Sequence, residues 1–430
     1  MTVQRVRAAA RPNSASRLHP RLMLTVVAVA ASLVVGATAA IAATARASDP
    51  GVTANTILLG GTAPLTGYSS SYAAISRGAD AYFKYVNARG GVNGRKIEYR
   101  VLDDSNTAAE TVSLTHQLVE QDKVFAMFNS LGTAGNLAVR PWLNTMKVPQ
   151  LFVASGATTW GRDYATYPYS SGFQPSYQAE GWVYGKYLAR TAPGATIAVL
   201  FENDDFGKDL LGGLKRGLQR SKAKVIAAQP YDVASTDISA QIAKLKASGA
   251  DTLAIFAAPN YAVQAYSIAN KLGWKPKRVV NNAAGAGAAT MVRASDDGQN
   301  KLVAGTISIA FMKDPNDPQW KTDASVKLYR KVLSRYAPGA TGDDSLYVYG
   351  MAAAWTAVEA LRRAGKDLTR ESLVNALDTF TAVGNPFLLP GIAVKTAGHD
   401  HFPIEQMLLQ RWQGATWKSF GGIWGYRTTS

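Results

Sequence analysis

The sequence predicts an α/β protein built as two doubly wound parallel-sheet lobes, and three observations carry that reading. Short apolar runs of strand length alternate with amphipathic runs of helix length, the order that gives parallel sheets wound by right-handed crossovers. Roughly nine such strands are too many for one sheet of modest size. The composition is that of a globular chain: 47% of the 430 residues are hydrophobic and 18% charged, with 38 Gly and 18 Pro.

The front end stands apart from the rest. Residues 1–47 hold six arginines and no acid, and removing them lowers the formal charge from +16 to +10 over 383 residues. Arg17 to Arg21 precede an uncharged run, residues 22–45, rich in Ala, Val and Leu. Small residues at Ala45 and Ala47, and at Ala40 and Ala42, supply cleavage patterns, so 1–47 is expected to be an export signal cut after Ala47. The alternative is an uncleaved anchor, because the run is long enough to span about 30 Å of hydrocarbon. Either way the rest is expected outside the cytoplasm, periplasmic or at the cell envelope.

The elements follow in order. A buried strand at 57–62 leads into a Pro-, Gly- and Ser-rich loop, 64–71. Ile75, Ala79, Tyr82, Phe83 and Val86 fall at helical spacing before the Gly90-Gly91 stop. A strand at 97–102 precedes Thr107-Ala-Ala-Glu110, which has the form of a capping box. Further strands are expected at 124–128, 150–154, 196–201, 225–228, 252–257 and 278–281, with helices between most of them. Ser170 to Pro175 is a plausible crossing between lobes, and Asp314 to Pro318 marks another loop. Trp412, Trp417 and Trp424 read as hairpin core and lobe packing.

Several function classes are excluded or weakened. Zero cysteines rule out a disulfide scaffold, a thiolate nucleophile, a Cys-ligated metal and a lipidated N-terminal Cys. His116 reads as a surface residue and His399-Asp-His401 as a solvated loop; with no G-x-S-x-G elbow present, neither a catalytic set nor a cofactor is expected. Lys244, Lys246, Lys327, Arg330 and Lys331 are dispersed rather than gathered into an aromatic-basic patch, so no nucleic acid is expected as a partner.

In open α/β sheets, ligands bind outside the carboxyl ends of the strands. The loops there hold small hydroxyls, amides and a few aromatics, which suits binding a small molecule. Asn129-Ser-Leu-Gly-Thr133 and Ser155-Gly-Ala-Thr158 each lie between a strand and a helix, where unpaired N–H groups hold a carboxylate without a lysine. Hydroxyls of Ser130 and Thr158 would add hydrogen bonds there; the alternative is that they cap their own helices. Glu202-Asn-Asp-Asp205 reads as a solvated loop or a second-lobe ligand contact.

An ordered set of motifs then becomes specific: Gly60-Gly-Thr-Ala-Pro-Leu-Thr-Gly67, Arg77-Gly-Ala-Asp80, Asn87-Ala-Arg-Gly-Gly-Val-Asn-Gly-Arg-Lys96, Val148-Pro-Gln-Leu-Phe-Val-Ala-Ser-Gly-Ala-Thr158, Asn203-Asp-Asp-Phe-Gly-Lys208 and Gln241 to Asp251. From about Pro50 to the end, the chain resembles the branched-chain amino acid-type substrate-binding proteins of ABC importers. The resemblance implies a type I periplasmic-binding-protein fold with three crossing segments that closes on its ligand. On that basis 48–172 and 307–390 form lobe 1, and 173–306 and 391–430 form lobe 2. It also implies a monomer that delivers its ligand to a membrane permease. Ser130 and Thr158 occupy the positions whose hydroxyls hold the carboxylate in amino-acid-binding members, and Tyr72 matches an aromatic ligand contact.

The departures shape the expected ligand. The family's second-lobe acid, which pairs with the ligand ammonium, falls at Ala284, and no acid occurs between Asp251 and Asp296. An unpaired buried ammonium would cost several kcal/mol, on the order of a lost ion pair. Phe206 stands where amino-acid binders have Tyr, and Pro259-Asn260 replaces a tyrosine-rich segment. The expected ligand is therefore an aromatic or branched acid, or an amide, without the ammonium contact. The candidate site is Tyr72, Ser130, Leu131, Ser155, Gly156, Thr158, Phe206, Asn260 and Asn282. A true branched-chain amino acid binder, and a sensory ectodomain working through a signalling partner, are the alternatives.

Overall fold

The computed structural model describes residues 49–296, 298–382, 384–398 and 400–426. The expected export signal at 1–47 and His399 lie outside the described residues.

Two sheets organise the chain. The smaller contains β1 (Thr56–Ala63), β2 (Lys96–Asp103), β3 (Ala126–Phe128), β4 (Gln150–Val153) and β5 (Ser170–Gly172), in the order β2-β1-β3-β4-β5 and parallel throughout. Next come β6 (Thr196–Glu202), β7 (Lys224–Tyr231), β8 (Thr252–Phe256), β9 (Arg278–Asn281) and β10 (Ile307–Ala310). A two-stranded ladder, β11 (Thr381–Ala382) with β12 (Val394–Lys395), precedes β13 (Gln406–Gln413) and β14 (Thr416–Gly425). The larger sheet runs β14-β13-β10-β9-β8-β6-β7, with β13 and β14 antiparallel to their neighbours. It is thus the expected parallel sheet from β10 to β7, with the β13–β14 hairpin added at its edge. Every residue of β8 is buried, as befits a parallel strand covered by helices on both faces. In the β13–β14 hairpin Trp412 lies opposite Trp417, their rings 5.2 Å apart, in the packing role expected of them.

Sheet membership moves two expected borders. Ile307–Ala310 pairs with β13 and β9 in the larger sheet, so the chain returns to the smaller-sheet half after Ala310, not at 307. Val394–Lys395 pairs with Thr381–Ala382, and His401 bonds Asp378 at 3.1 Å, so the chain stays with that half to the start of β13, not to 390. The helix Arg370–Asp378 anchors this segment, because Arg370 donates to the carbonyls of Val124 and Phe125 beside β3. The first crossing follows β5, which occupies the start of the expected crossing.

Helix packing fixes the smaller-sheet half. The helices Ala73–Asn87 and Ser345–Ala364 cross where Gly350 leaves no side chain: a Cβ there would lie 1.9 Å from the Ile75 carbonyl oxygen. The capping box at Thr107 does not form. Thr107 makes no side-chain cap; Asp104 instead takes the Asn106 N–H at 3.0 Å and the Thr111 hydroxyl at 2.8 Å. His401, expected in solvent, is buried against Asp378 and the Tyr164 ring.

Candidate ligand-binding site

The carboxyl ends of both sets of parallel strands face one cavity of about 370 Å³. Leu131 and Ala154 follow β3 and β4 on one side; Glu202, Ala258 and Ala283 end or follow β6, β8 and β9 on the other. This is where the topology of an open α/β sheet leaves strand ends and helix starts exposed.

Two of those helix starts follow a glycine and lack a side-chain cap. The helix Thr133–Thr145 begins after Gly132, and Ala288–Ser295 begins after Gly287. Neither glycine brings an oxygen to the first-turn N–H groups, and both line the cavity, as do Thr133, Ala134 and Ala288. Gly132 has φ of 102°, a left-handed backbone that glycine adopts without strain, and a Cβ there would meet Asn106 Oδ1 at 3.1 Å. Unpaired helix N–H groups carry partial positive charge and favour an anion. Two further helix starts on the cavity, those of Ala108–His116 and Pro259–Lys271, also lack a side-chain cap, whereas two others are closed by acids. Asp204 accepts from Phe206 N–H at 2.9 Å and Gly207 N–H at 3.3 Å, and Asp344 accepts from Leu346 N–H at 2.9 Å.

The remaining walls are largely apolar, with Tyr72, Leu131, Phe206, Tyr349 and Trp417 among them. Tyr177 lines the cavity and packs on Phe206 at 4.7 Å. Lys313 is committed to Asp323 at 3.0 Å and Ser325 at 2.7 Å. Glu202 accepts from the Tyr231 hydroxyl at 2.6 Å, and burial, with the nearby Asp204 carboxylate, pushes it up to about 8. Burial raises Asp204 as well, against the two N–H donors that stabilise its charge. Glu180 lies behind the wall, accepting from Ala283 N–H and the Tyr184 hydroxyl at 2.7 Å; burial pushes it up to about 7.

Of the residues expected from sequence, Tyr72, Leu131 and Phe206 stand at the cavity wall. The others do not. Ser130 turns inward and accepts from Thr62 N–H at 3.2 Å. Ser155 stands behind Thr133, sharing a 2.8 Å hydrogen bond between hydroxyls. Gly156 accepts from Tyr177 N–H at 2.7 Å. Thr158 donates its N–H to Asp209 at 2.7 Å and leaves its buried hydroxyl without a partner. Asn282 accepts from Ala257 N–H at 2.9 Å. Asn260 bonds the Tyr68 carbonyl across the two halves, while Arg293 donates to its Oδ1 at 2.9 Å.

The sequence reading missed Thr133, Tyr177 and Tyr349 at the wall, and left Glu202 undecided between solvent and ligand. The signal for Thr133 was its place as the first residue after the Gly132 turn. Ala284 lines the cavity, so the position without the expected acid does face it; the carboxyls at the wall are those of Glu202, Asp204, Asp232 and Asp314 instead. Among the described residues no group of three or more His, Cys, Asp or Glu could hold a metal, and no helix is long and apolar enough to cross a membrane.

Residues 56–416 match the family described as periplasmic binding protein. An amino acid binding protein of Pseudomonas aeruginosa is 26% identical over 210 residues, covering 46% of this chain and 52% of that relative. The Leu/Ile/Val-binding protein homolog 1 of Brucella abortus is 28% identical over 209 residues, covering 46% and 53%. The chain thus spans about half the length of the curated relatives it matches. Among solved structures, a branched chain amino acid ABC transporter protein from Thermus thermophilus with bound valine superposes with a TM-score of 0.76 at 19% identity, covering 87% of this chain and 98% of that one. A solute binding protein from R. palustris in complex with benzoate gives 0.71 at 15% identity, covering 85% and 96%. At these identities the structural likeness speaks for the fold.

Proposed function

Because this chain belongs to the periplasmic binding protein family, we propose that it is the extracytoplasmic solute receptor of a branched-chain amino acid-type ABC importer, taking a small carboxylate with an apolar body. The observation that carries the ligand class is the pair of uncapped helix starts, after Gly132 and Gly287, on one mostly apolar cavity. The carboxylate sits on the N–H groups of Thr133 and Ala134. The apolar body lies against Tyr72 and Phe206.

The ligand touches both halves, so it favours the closed arrangement over the open one; contact with one half alone would not. The protein leaves the ligand chemically unchanged, uses no cofactor, acts as a monomer and hands its ligand to a membrane permease. Residues 1–47 export it.

Glu202 favours a second reading, in which the ligand is an amino acid whose ammonium meets this carboxyl. Desolvation keeps Glu202 largely protonated near neutral pH, which weakens its attraction for an ammonium and its repulsion of a carboxylate ligand.

Calorimetry with 4-methylpentanoate, benzoate, benzamide and leucine separates the readings. Binding of a carboxylate more tightly than leucine supports the proposal. Tight leucine binding with no response to either acid rejects it in favour of the amino acid. Loss of uptake of the bound compound when the protein is removed from cells tests delivery to the permease.

A further inference from the structure

A second cavity, of about 420 Å³, lies at the opposite end of the larger sheet. Strand β10 joins the two: Ile307 lines this one, and Ile309 and Ala310 line the ligand cavity. It opens beside the single β9–β10 pairing, Val280 with Ile307, and both residues line it. Lys277, Arg278, Lys301 and Arg411 all border it.

These cations are differently committed. Arg411 donates to the Tyr187 hydroxyl at 3.2 Å and lies over the Phe420 ring at 5.0 Å, which orients its guanidinium and leaves further N–H groups unspent. Arg278 pairs with Asp251 at 3.3 Å. Asp251 also accepts from Thr196 N–H and the Thr252 hydroxyl, so its charge is shared. Lys277 and Lys301 have no carboxylate partner among the described residues. The carboxyl end of the helix Tyr177–Thr191 also borders the cavity, and its carbonyls oppose an anion. Four full cations against one shared carboxylate and that partial charge leave the concavity positive, and low-dielectric walls focus such a field.

We propose that this cavity is an anion site, separate from the ligand cavity, that takes a phosphate-bearing group with two or more negative charges. Guanidinium groups match phosphate oxygens in pairs and ammonium groups add point charge, a set that a single carboxylate would not satisfy. The phosphate group comes either from a soluble molecule or from a lipid headgroup at the envelope surface.

The test uses pyrophosphate by calorimetry at low salt, and in parallel vesicles of phosphatidylcholine with and without phosphatidic acid. Pyrophosphate binding that weakens at least tenfold in the Lys277→Ala/Lys301→Ala double variant, persists in Lys277→Arg/Lys301→Arg, and is unchanged in Thr133→Pro assigns a soluble anion to this cavity. Binding only to the phosphatidic acid vesicles, with the same dependence on the two lysines, assigns a headgroup. Both lysines are exposed, so unchanged thermal melting is expected to show that the variants fold. Absence of both kinds of binding, or binding that the double alanine variant alters less than twofold, overturns the proposal.

Discussion

The side-chain amide of Asn260 donates to the backbone carbonyl of Tyr68, tying the first turn of a helix on the larger sheet to a loop of the smaller-sheet half. Gln264 adds a donor to the Tyr68 hydroxyl, and the Tyr68 and Tyr261 rings meet edge-on at 4.8 Å. These contacts bridge the two halves beside the cavity.

Asn260→Ala should therefore act on closure without touching ligand. Ligand affinity is expected to fall roughly three- to tenfold, chiefly through faster release, because the closed arrangement loses a contact the open one never had. Stopped-flow dissociation of the bound carboxylate checks this. A slower release than in the wild type would contradict it.

Thr133 allows the backbone donor to be tested apart from its side chain. Thr133→Ala removes the hydroxyl bonded to Ser155 but keeps the N–H. Thr133→Pro removes both, at the first helical position, where proline is tolerated. If the N–H holds a carboxylate, proline should cost about 1.5–3 kcal/mol of binding beyond alanine, roughly ten- to a hundredfold in Kd. Calorimetry of the two variants reads the difference.

Glu202 predicts a pH dependence of binding. Its pKa is pushed up to about 8, so raising the pH through that value ionises a group at the cavity wall. Affinity for a carboxylate without an ammonium should fall across that interval in the wild type and stay level in Glu202→Gln. An affinity for leucine that rises over the same interval would instead mark Glu202 as an ammonium partner. Calorimetry at pH 6.5 and 9 distinguishes the two.

Glu180 predicts a pH dependence of stability. Burial raises its pKa from 4.5 to about 7 in the folded protein. Between those values the folded state holds more protons than the unfolded state, so stability falls as pH rises from about 4.5 through 7 and levels off above. The full effect is on the order of 3 kcal/mol. Glu180→Gln keeps an oxygen to accept from Ala283 and Tyr184 and loses the titration. Denaturant midpoints at pH 5 and 8 should therefore lie closer together in the variant than in the wild type, the remaining gap coming from Glu202, Asp204 and Asp314.

The pattern of buried β-branched and aliphatic residues made β1, β6, β8 and β9 legible, because strands covered on both faces must be apolar almost throughout. Ser170–Gly172 escaped that reading: three small residues carry no hydrophobic pattern, and pairing with β4 alone makes them a strand. Ile307–Ala310 escaped because Ser308 interrupts its short apolar run. Thr107 and Glu110 had the spacing of a capping box, but Asp104 took over the local hydrogen bonding.

At the site, the loops were legible and the facing residues were not. Ser130, Leu131 and Thr133 are near neighbours in sequence, yet Ser130 turns to the Thr62 N–H while Leu131 and Thr133 face the cavity. A sequence names the hydroxyls but not the direction in which each points. Asn260 was chosen as a ligand contact from the segment that replaces the family's tyrosine-rich stretch; its side chain bonds the opposite half. Glu202 reaches the wall from β6, in a loop distant in sequence from the stretch where an acid was sought.

The central claim is that a carboxylate is held by main-chain donors of one half while its body touches the other. A crystal structure of the complex with the tighter binder of 4-methylpentanoate and benzoate tests it most directly. The carboxylate oxygens should lie about 2.7–3.2 Å from the Thr133 and Ala134 nitrogens, with the apolar body between Tyr72 and Phe206. A ligand with its charged end elsewhere, or one bound by a single half, would contradict the account.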